Sequence, residues 1–319
     1  PLRFCPGVGD GALGQQSQDE GVPLLNTYQP IHHPSMPDNL IIVRKASGLD
    51  PDTLHALSTA LGTAPERMAS ERPTLLRWQA APQPPATFDA WAEEYGVDAA
   101  NVPSGLSFRD FRLLAIDMDS TLVTMETLDE IADMAGLKAE VAAITEAAMR
   151  GEIRDFSESL TRRMALLQGV REDLIERVYR ERLHLSPGAE VLLAAARAAG
   201  LKTLLVSGGF THFTDRLKEQ LGFDYAFANQ FDIVDGRLTG RVLGPIVDGA
   251  FKAQAVRQCC AEIGCAPSQA IAIGDGANDL GMMGVAGLSV GYHAKPVVRA
   301  QATWSVRVGG LDTVVDWLG

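Results

Sequence analysis

Leu113-Leu114-Ala115-Ile116 runs straight into Asp117-Met118-Asp119-Ser120-Thr121. A short apolar run that breaks off in two aspartates reads as a buried strand with carboxylates at its C-terminal tip, where open α/β sheets hold ligands. A second run, Ala270-Ile271-Ala272-Ile273, ends in Gly274-Asp275-Gly276-Ala277-Asn278-Asp279. Between them Thr203-Leu204-Leu205-Val206 ends in Ser207-Gly208-Gly209. Three strand ends of this composition suit a metal ion and a phosphate group.

The chemistry is phosphoryl transfer. Phosphate-monoester hydrolysis needs a nucleophile, neutralisation of the phosphoryl oxygens and a proton for the leaving alkoxide. Asp117 is the candidate nucleophile, forming an aspartyl-phosphate. Asp119, two residues on, is the candidate general acid and base. Several carboxylates facing a phosphate dianion would repel it, so a hard cation is required. Asp117 and Asp275 supply oxygen ligands suited to Mg²⁺. Ser207 and the amides of Gly208 and Gly209 can donate to phosphate oxygens. Lys252 adds positive charge, and Asn278 and Asp279 are placed to hold the metal's waters and the nucleophile. Asp-x-Asp or Ser-Gly-Gly alone is a weak signal; all the segments in this order, with Lys252 between the last two, are a strong one.

Elements must position these groups. From Arg112 onward strands and helices alternate, which predicts a doubly wound, mostly parallel, Rossmann-like α/β sheet. One interval breaks the rhythm: 128–135, 139–149, 156–167 and 172–182 all carry helical patterns with no strand between them. Such a block, at about 126–185, reads as a helical cap over the strand ends. Asp235-Gly236 predicts a hairpin turn. Ahead of this, residues 1 to about 35 read as an irregular arm. Strands are expected at 39–43 and 74–78, with helices from Asp50-Pro51-Asp52 through Leu61 and from a Thr87 cap through Tyr95. The stretch 101–105 is expected to link a first unit, 1–105, to a catalytic domain, 106–319. The first unit is a small α/β domain, read as an ACT-like regulatory unit or a dimerisation appendage, which leaves a homodimer open.

The 319 residues carry a formal net charge of −12 and are 46% hydrophobic and 21% charged. That balance argues against nucleic acid or a membrane surface as partner, because phosphate backbones need a basic face. No apolar run reaches the ~18 residues of a membrane span; 191–205 is interrupted by Arg197 and Lys202. No basic-then-apolar leader pattern opens the chain, so a cytoplasmic location is expected. Cys5, Cys259, Cys260 and Cys265 lack zinc-site spacing and read as reduced thiols. His32-His33, His55, His184, His212 and His293 are given no role.

The motifs resemble the haloacid-dehalogenase superfamily of phosphotransferases. The resemblance covers about 110–315 and rests on Asp117 through Ala132, Ala148-Met149-Arg150-Gly151, Ser159-Leu160-x-x-Arg163, Val206 through Phe210, Asp235 through Gly240 and Ile273 through Leu280. The cap segments narrow it to the branch that hydrolyses O-phospho-L-serine to L-serine and phosphate, the last step of serine synthesis. The resemblance implies Mg²⁺ held by Asp117, the backbone carbonyl of Asp119 and Asp275. It implies Glu126 on the substrate ammonium and Arg163 on its carboxylate, with Ser207, Gly208, Lys252 and Asn278 around the phosphate and nucleophile. One departure is visible: 153–156 is one residue longer than the common pattern, while Ser-Leu-x-x-Arg is intact. A phosphotransferase that hands the group to another alcohol is the rival within enzymes. Met149 and Phe156 are expected in the cap core, with substrate contact as the alternative.

Overall fold

In the computed structural model, residues 39–45, 48–61, 66–67, 75–80, 88–150, 152–153 and 155–319 are described. The arm with His32-His33 and Cys5, Thr87 and Arg154 lie outside them.

The catalytic sheet is built from β5 (Leu113–Ile116), β6 (Lys202–Phe210), β7 (Tyr225–Val234), β8 (Arg237–Leu243), β9 (Ala270–Gly274), β10 (Leu288–Tyr292) and β11 (Trp304–Val306). Their spatial order is β11-β10-β9-β5-β6-β7-β8, parallel except for the β7–β8 pair. Strand residues alternate between faces, and both faces of β5 are covered. Leu114 and Ile116 enter one core with Ile271, Ile273 and Leu205. Leu113 and Ala115 enter the other with Ala270, Ala272, Cys259 and Met282. A strand buried on both sides must be apolar throughout, so the first polar residue, Asp117, marks where the chain leaves the sheet. The chain reverses its winding between β5 and β9. Ligands bind at such a switch point, beyond the carboxyl ends of the strands.

The cap comprises α3 (Thr127–Met134), α4 (Lys138–Met149), α5 (Phe156–Leu166) and α6 (Glu172–Arg182). Its two connections are zipped together: Thr124 N–H donates to the His184 carbonyl (3.0 Å) and Ser186 N–H to the Leu122 carbonyl (2.9 Å). The cap also leans on the β7–β8 hairpin, where Gly169 N–H donates to the Leu238 carbonyl (2.8 Å) and Glu172 N–H to the Gly236 carbonyl (2.9 Å). The hairpin turns through Asp235 (φ 50°) and Gly236 (φ 71°), the two left-handed residues a tight two-residue turn requires.

The N-terminal unit has the order β1 (Asn39–Arg44), α1 (Pro51–Leu61), β2 (Glu66–Arg67), β3 (Leu75–Ala80), α2 (Phe88–Glu94), β4 (Asp98–Pro103). It forms an antiparallel sheet ordered β2-β3-β1-β4. Ile41, Val43 and Ala99 pack with Leu57 and Ala92 of the helices, while Ile42, Ala100 and Val102 join the catalytic core. Residues 101–103, expected as linker, thus belong to a strand: Val102 is buried, and Pro103 comes only where the strand ends. The seam is polar as well as apolar. Asp98 accepts the N–H groups of Arg307 (2.5 Å), Val308 (3.0 Å) and Gly309 (2.6 Å), and Arg44 donates to Asp312 at 2.7 Å. Among the described residues no helix is long and apolar enough to cross a membrane.

Candidate active site

Asp117 follows β5 directly, and its N–H donates to the Ile273 carbonyl of β9 at 3.0 Å. That bond extends the ladder one residue beyond the strand and fixes the carboxylate over the switch point. The chain then turns tightly through 118–122, with Ser120 at φ 53°. A non-glycine residue in the left-handed region is uncommon and signals a constrained turn. The turn swings Asp119 towards the cap, where Thr127 N–H (3.0 Å) and Thr127 Oγ1 (3.3 Å) donate to its carboxylate.

Lys252 comes from α9 (Gly249–Ile263). Asp248 caps that helix, accepting the Phe251 N–H at 2.8 Å, so the helix start and the direction of Lys252 are set locally. The lysine is completely buried, with Nζ donating to Asp117 Oδ1 (2.7 Å) and Asp279 Oδ1 (2.6 Å). Asp279 Oδ2 accepts the N–H groups of Asp275 (3.1 Å) and Gly276 (2.9 Å). Both oxygens of Asp279 are therefore engaged, and it pins the turn that carries Asp275. Gly274 is required there, because a Cβ would lie 2.4 Å from Asp279 Cγ.

Asp117, Asp275 and Asp279 are buried with ligand atoms within 4.8 Å of one another. Three carboxylates share one lysine, an arrangement that leaves excess negative charge in a low-dielectric site. Hydrogen bonds from described residues reach only Oδ1 of Asp117, from Lys252, and Oδ1 of Asp275, from Thr121 at 3.3 Å. The second oxygen of each stays available. An all-oxygen donor set with surplus negative charge fits a hard divalent cation. The side chain of Asp119 stands outside this triad, turned to Thr127.

The same crowding shifts the acids. Burial, reinforced by Asp279 and opposed by Lys252, drives the Asp117 carboxyl well above the ordinary carboxylate range. Burial and then Asp279 push Asp275 up to about 7. Burial and then Glu126 push Asp119 up to about 8, against the Thr127 bonds. For Lys252 burial acts downward, but Asp117 and Asp279 outweigh it and hold the ammonium charged. A bound cation would act on the triad in the opposite sense to burial, favouring the ionised carboxylates.

Ser207 is buried inside β6, which runs on through Phe210 beyond the strand expected at 203–206. Its Oγ accepts the Gly209 N–H at 2.8 Å, leaving the hydroxyl proton free to donate. Side chains are excluded at both glycines: a Cβ on Gly208 would sit 2.6 Å from Phe156 Cζ, and one on Gly209 2.7 Å from Asp119 Oδ2. Phe156 thus brings the cap onto the phosphate loop. Asn278 is half-buried, with its Oδ1 over Gly276 and its carbonyl against Gly249 at the start of the helix that carries Lys252; the side chain of Met149 lies outside the described residues.

Glu126, at the start of α3, is exposed and accepts the Ser120 hydroxyl at 2.8 Å. Arg163 of α5 is mostly buried, with Nη1 3.9 Å from Asp129 Oδ1. Sequence reasoning missed four residues here: Ser120, Thr121, Thr127 and Asp129. The first three sit inside the quoted motifs as hydroxyl residues, but each bonds an acid that is not its chain neighbour: Ser120 bonds Glu126, Thr121 bonds Asp275 and Thr127 bonds Asp119. Asp129 also sits inside them, three residues after Glu126, and that nearness was its available signal. His212 and His293 stay outside the site. His293 Nε2 is 2.8 Å from the Gly309 carbonyl, and His212 packs on Phe213.

Carboxylates on strand tips at the switch point of a Rossmann-like sheet, beneath an inserted helical cap, define a phosphoryl-transferring hydrolase. The chain belongs to the haloacid dehalogenase-like hydrolases, whose family model matches residues 114–284. It is 57% identical over 215 residues to a phosphoserine phosphatase of Polaromonas sp., covering 66% of this chain and 91% of that protein. Among solved structures, an unliganded probable phosphoserine phosphatase from Vibrio cholerae superposes with a TM-score of 0.74 at 36% identity, covering 88% of this chain and 86% of that one. A phospho-aspartyl intermediate analogue of phosphoserine phosphatase gives a TM-score of 0.62 at 35% identity, covering 66% and 99%.

Proposed function

We propose that this chain is a phosphoserine phosphatase, hydrolysing O-phospho-L-serine to L-serine and phosphate through a phosphorylated Asp117. The observation that carries this is a mostly buried arginine of the cap, Arg163, that faces Asp129 of α3, with Glu126 at the N-terminus of the same helix. An amino acid presents one anion and one cation, and a guanidinium reads a carboxylate through two parallel hydrogen bonds. Two relatives that are 57% identical over 215 residues carry that activity in their names.

Asp117 attacks phosphorus through a carboxylate oxygen as the bond to the seryl oxygen breaks. Lys252 holds the nucleophile in place and offsets charge as the phosphoryl group arrives. Ser207 Oγ–H and the Gly208 backbone approach the phosphoryl oxygens, while the Gly209 N–H holds the Ser207 hydroxyl in place. Asp119, held by Thr127, protonates the leaving seryl oxygen and then takes a proton from the attacking water. Mg²⁺ would be held by Asp117, Asp275 and the Asp119 carbonyl, and when bound it supplies charge neutralisation and orientation of the phosphate. Glu126 and Arg163 belong to the cap, so binding of the serine end draws the cap down and excludes water. In this reading residues 106–319 are the catalytic domain, and the described residues before them form a unit packed against it. The free thiols Cys259, Cys260 and Cys265 suit a cytoplasmic enzyme.

The test is a phosphatase panel of O-phospho-L-serine against sugar phosphates and nucleotides, repeated with Arg163→Ala. Phosphoserine should lead the panel. The variant should lose far more on it than on an ester without a carboxylate; equal losses would remove Arg163 from recognition.

A further inference from the structure

Asp129 and Arg163 form a loose ion pair with no hydrogen bond between them. Their closest approach, 3.9 Å, is too long for a hydrogen bond. Arg163 Nε and Asp129 Oδ1 are both buried, and neither has a hydrogen-bond partner. Buried polar groups are rarely left in this state. The same helix shows what a purely structural clamp looks like. Glu130 and Asp133 of α3 close on Arg182, with Asp133 Oδ2 at 2.6 Å from Nη1. Asp129, one position before Glu130, leaves its arginine open.

Glu126 is the N-cap of α3, and Asp129 lies in that helix's first turn. They are close enough for Glu126 to help raise the Asp129 carboxyl, after burial. Two acids and one arginine with spare hydrogen-bonding capacity are complementary to an ammonium and a carboxylate on one small molecule. We propose that Asp129 is a substrate-binding residue: with Glu126 it forms a two-carboxylate seat for the substrate ammonium, beside the Arg163 guanidinium that takes the substrate carboxylate. The assignment rests on the phosphoserine reading and deepens it. Two acids at this seat also repel phosphate esters that carry a carboxylate and no ammonium, so Asp129 selects amino-acid esters over hydroxy-acid esters.

The experiment measures kcat/KM of the whole chain and of Asp129→Asn on four esters: O-phospho-L-serine, phosphoethanolamine (ammonium only), phosphoglycolate (carboxylate only) and p-nitrophenyl phosphate (neither). Replacing a charge-assisted hydrogen bond should cost about 10- to 100-fold on the two ammonium esters, mainly in KM. That loss should exceed the loss on p-nitrophenyl phosphate by at least about tenfold, and phosphoglycolate should improve relative to it. Asp129→Glu should recover part of the ammonium preference. Equal losses on phosphoserine and phosphoglycolate would mean that Asp129 merely props Arg163, and would overturn the proposal. A uniform loss on all four esters would overturn it as well. If the unmutated chain does not favour phosphoserine, the substrate reading fails by itself; the phosphoethanolamine-to-phosphoglycolate ratio still judges Asp129.

Discussion

Lys252 Nζ lies 2.7 Å from Asp117 Oδ1, and the lysine has no exposed surface at all. Removing one partner of such a pair leaves an uncompensated buried charge, here on Asp117 and also on Asp279. Lys252→Met should therefore lower kcat by about 10²–10³-fold with a smaller change in KM. It should also destabilise the fold by about 3–5 kcal/mol. Steady-state kinetics and urea unfolding of the same variant check the two halves separately. A variant with unchanged kcat would show that the lysine serves packing alone.

Asp117→Asn keeps the shape of the side chain and removes its nucleophilicity. Turnover of phosphoserine should fall by at least about 10⁴-fold. The unmutated chain, acid-quenched during turnover of substrate labelled in its phosphate, should carry label on protein; the variant should carry none. A melting temperature close to that of the parent would attribute the loss to chemistry. Label on the asparagine variant would move the nucleophile elsewhere.

The strands bearing the acids were legible because an apolar run that stops at an aspartate is a local pattern. The four cap helices were legible for a similar reason, since their periodicity persists without an intervening strand. What the sequence concealed is long-range. Asp98 reads as an ordinary polar residue before a proline-containing stretch, yet it accepts three consecutive N–H groups from 307–309, more than 200 positions away. That clamp and the burial of Val102 turn an apparent linker into a strand. Ser207-Gly208-Gly209 looked like a turn after a strand; pairing of Phe210 with Asn229 of β7, across a register shift, keeps it within one. Asp129 resembled any acid placed in a first helical turn to favour the helix dipole, and only the loose pair with Arg163 sets it apart.

Excess carboxylate charge at the strand tips predicts a measurable response to metal. Activity should vanish after treatment with a chelator and return on adding Mg²⁺. A ligand that binds only the folded state adds about 2.7 kcal/mol at a hundred times its Kd. Thermal unfolding of the chelated protein should accordingly shift upward by several degrees on titration with Mg²⁺. Asp275→Asn should abolish that shift. Full activity after exhaustive chelation would remove the ion from the mechanism.

The pairing of β6 with β7 rests partly on a carboxylate far from the chemistry. Asp224 accepts from Lys202 Nζ (2.6 Å), Thr203 N–H (2.8 Å) and Thr203 Oγ1 (3.1 Å), tying the first residues of β6 to the residue before β7. Burial works to raise this carboxyl, but the Lys202 and Thr203 bonds outweigh it and hold it below the usual carboxylate range. A depressed folded-state pKa stabilises above the unfolded value, about 3.9, and that contribution is lost as the pH falls through the folded value. Lys202 is half exposed, so solvent screening limits the effect to about 1 kcal/mol. Asp224→Asn should thus cost about 1 kcal/mol at neutral pH, with the gap between variant and parent closing as the pH drops below the unfolded pKa. Urea midpoints measured at neutral pH and in acid give the comparison. A gap that stays constant across that range would assign the loss to packing, with no part for the charge.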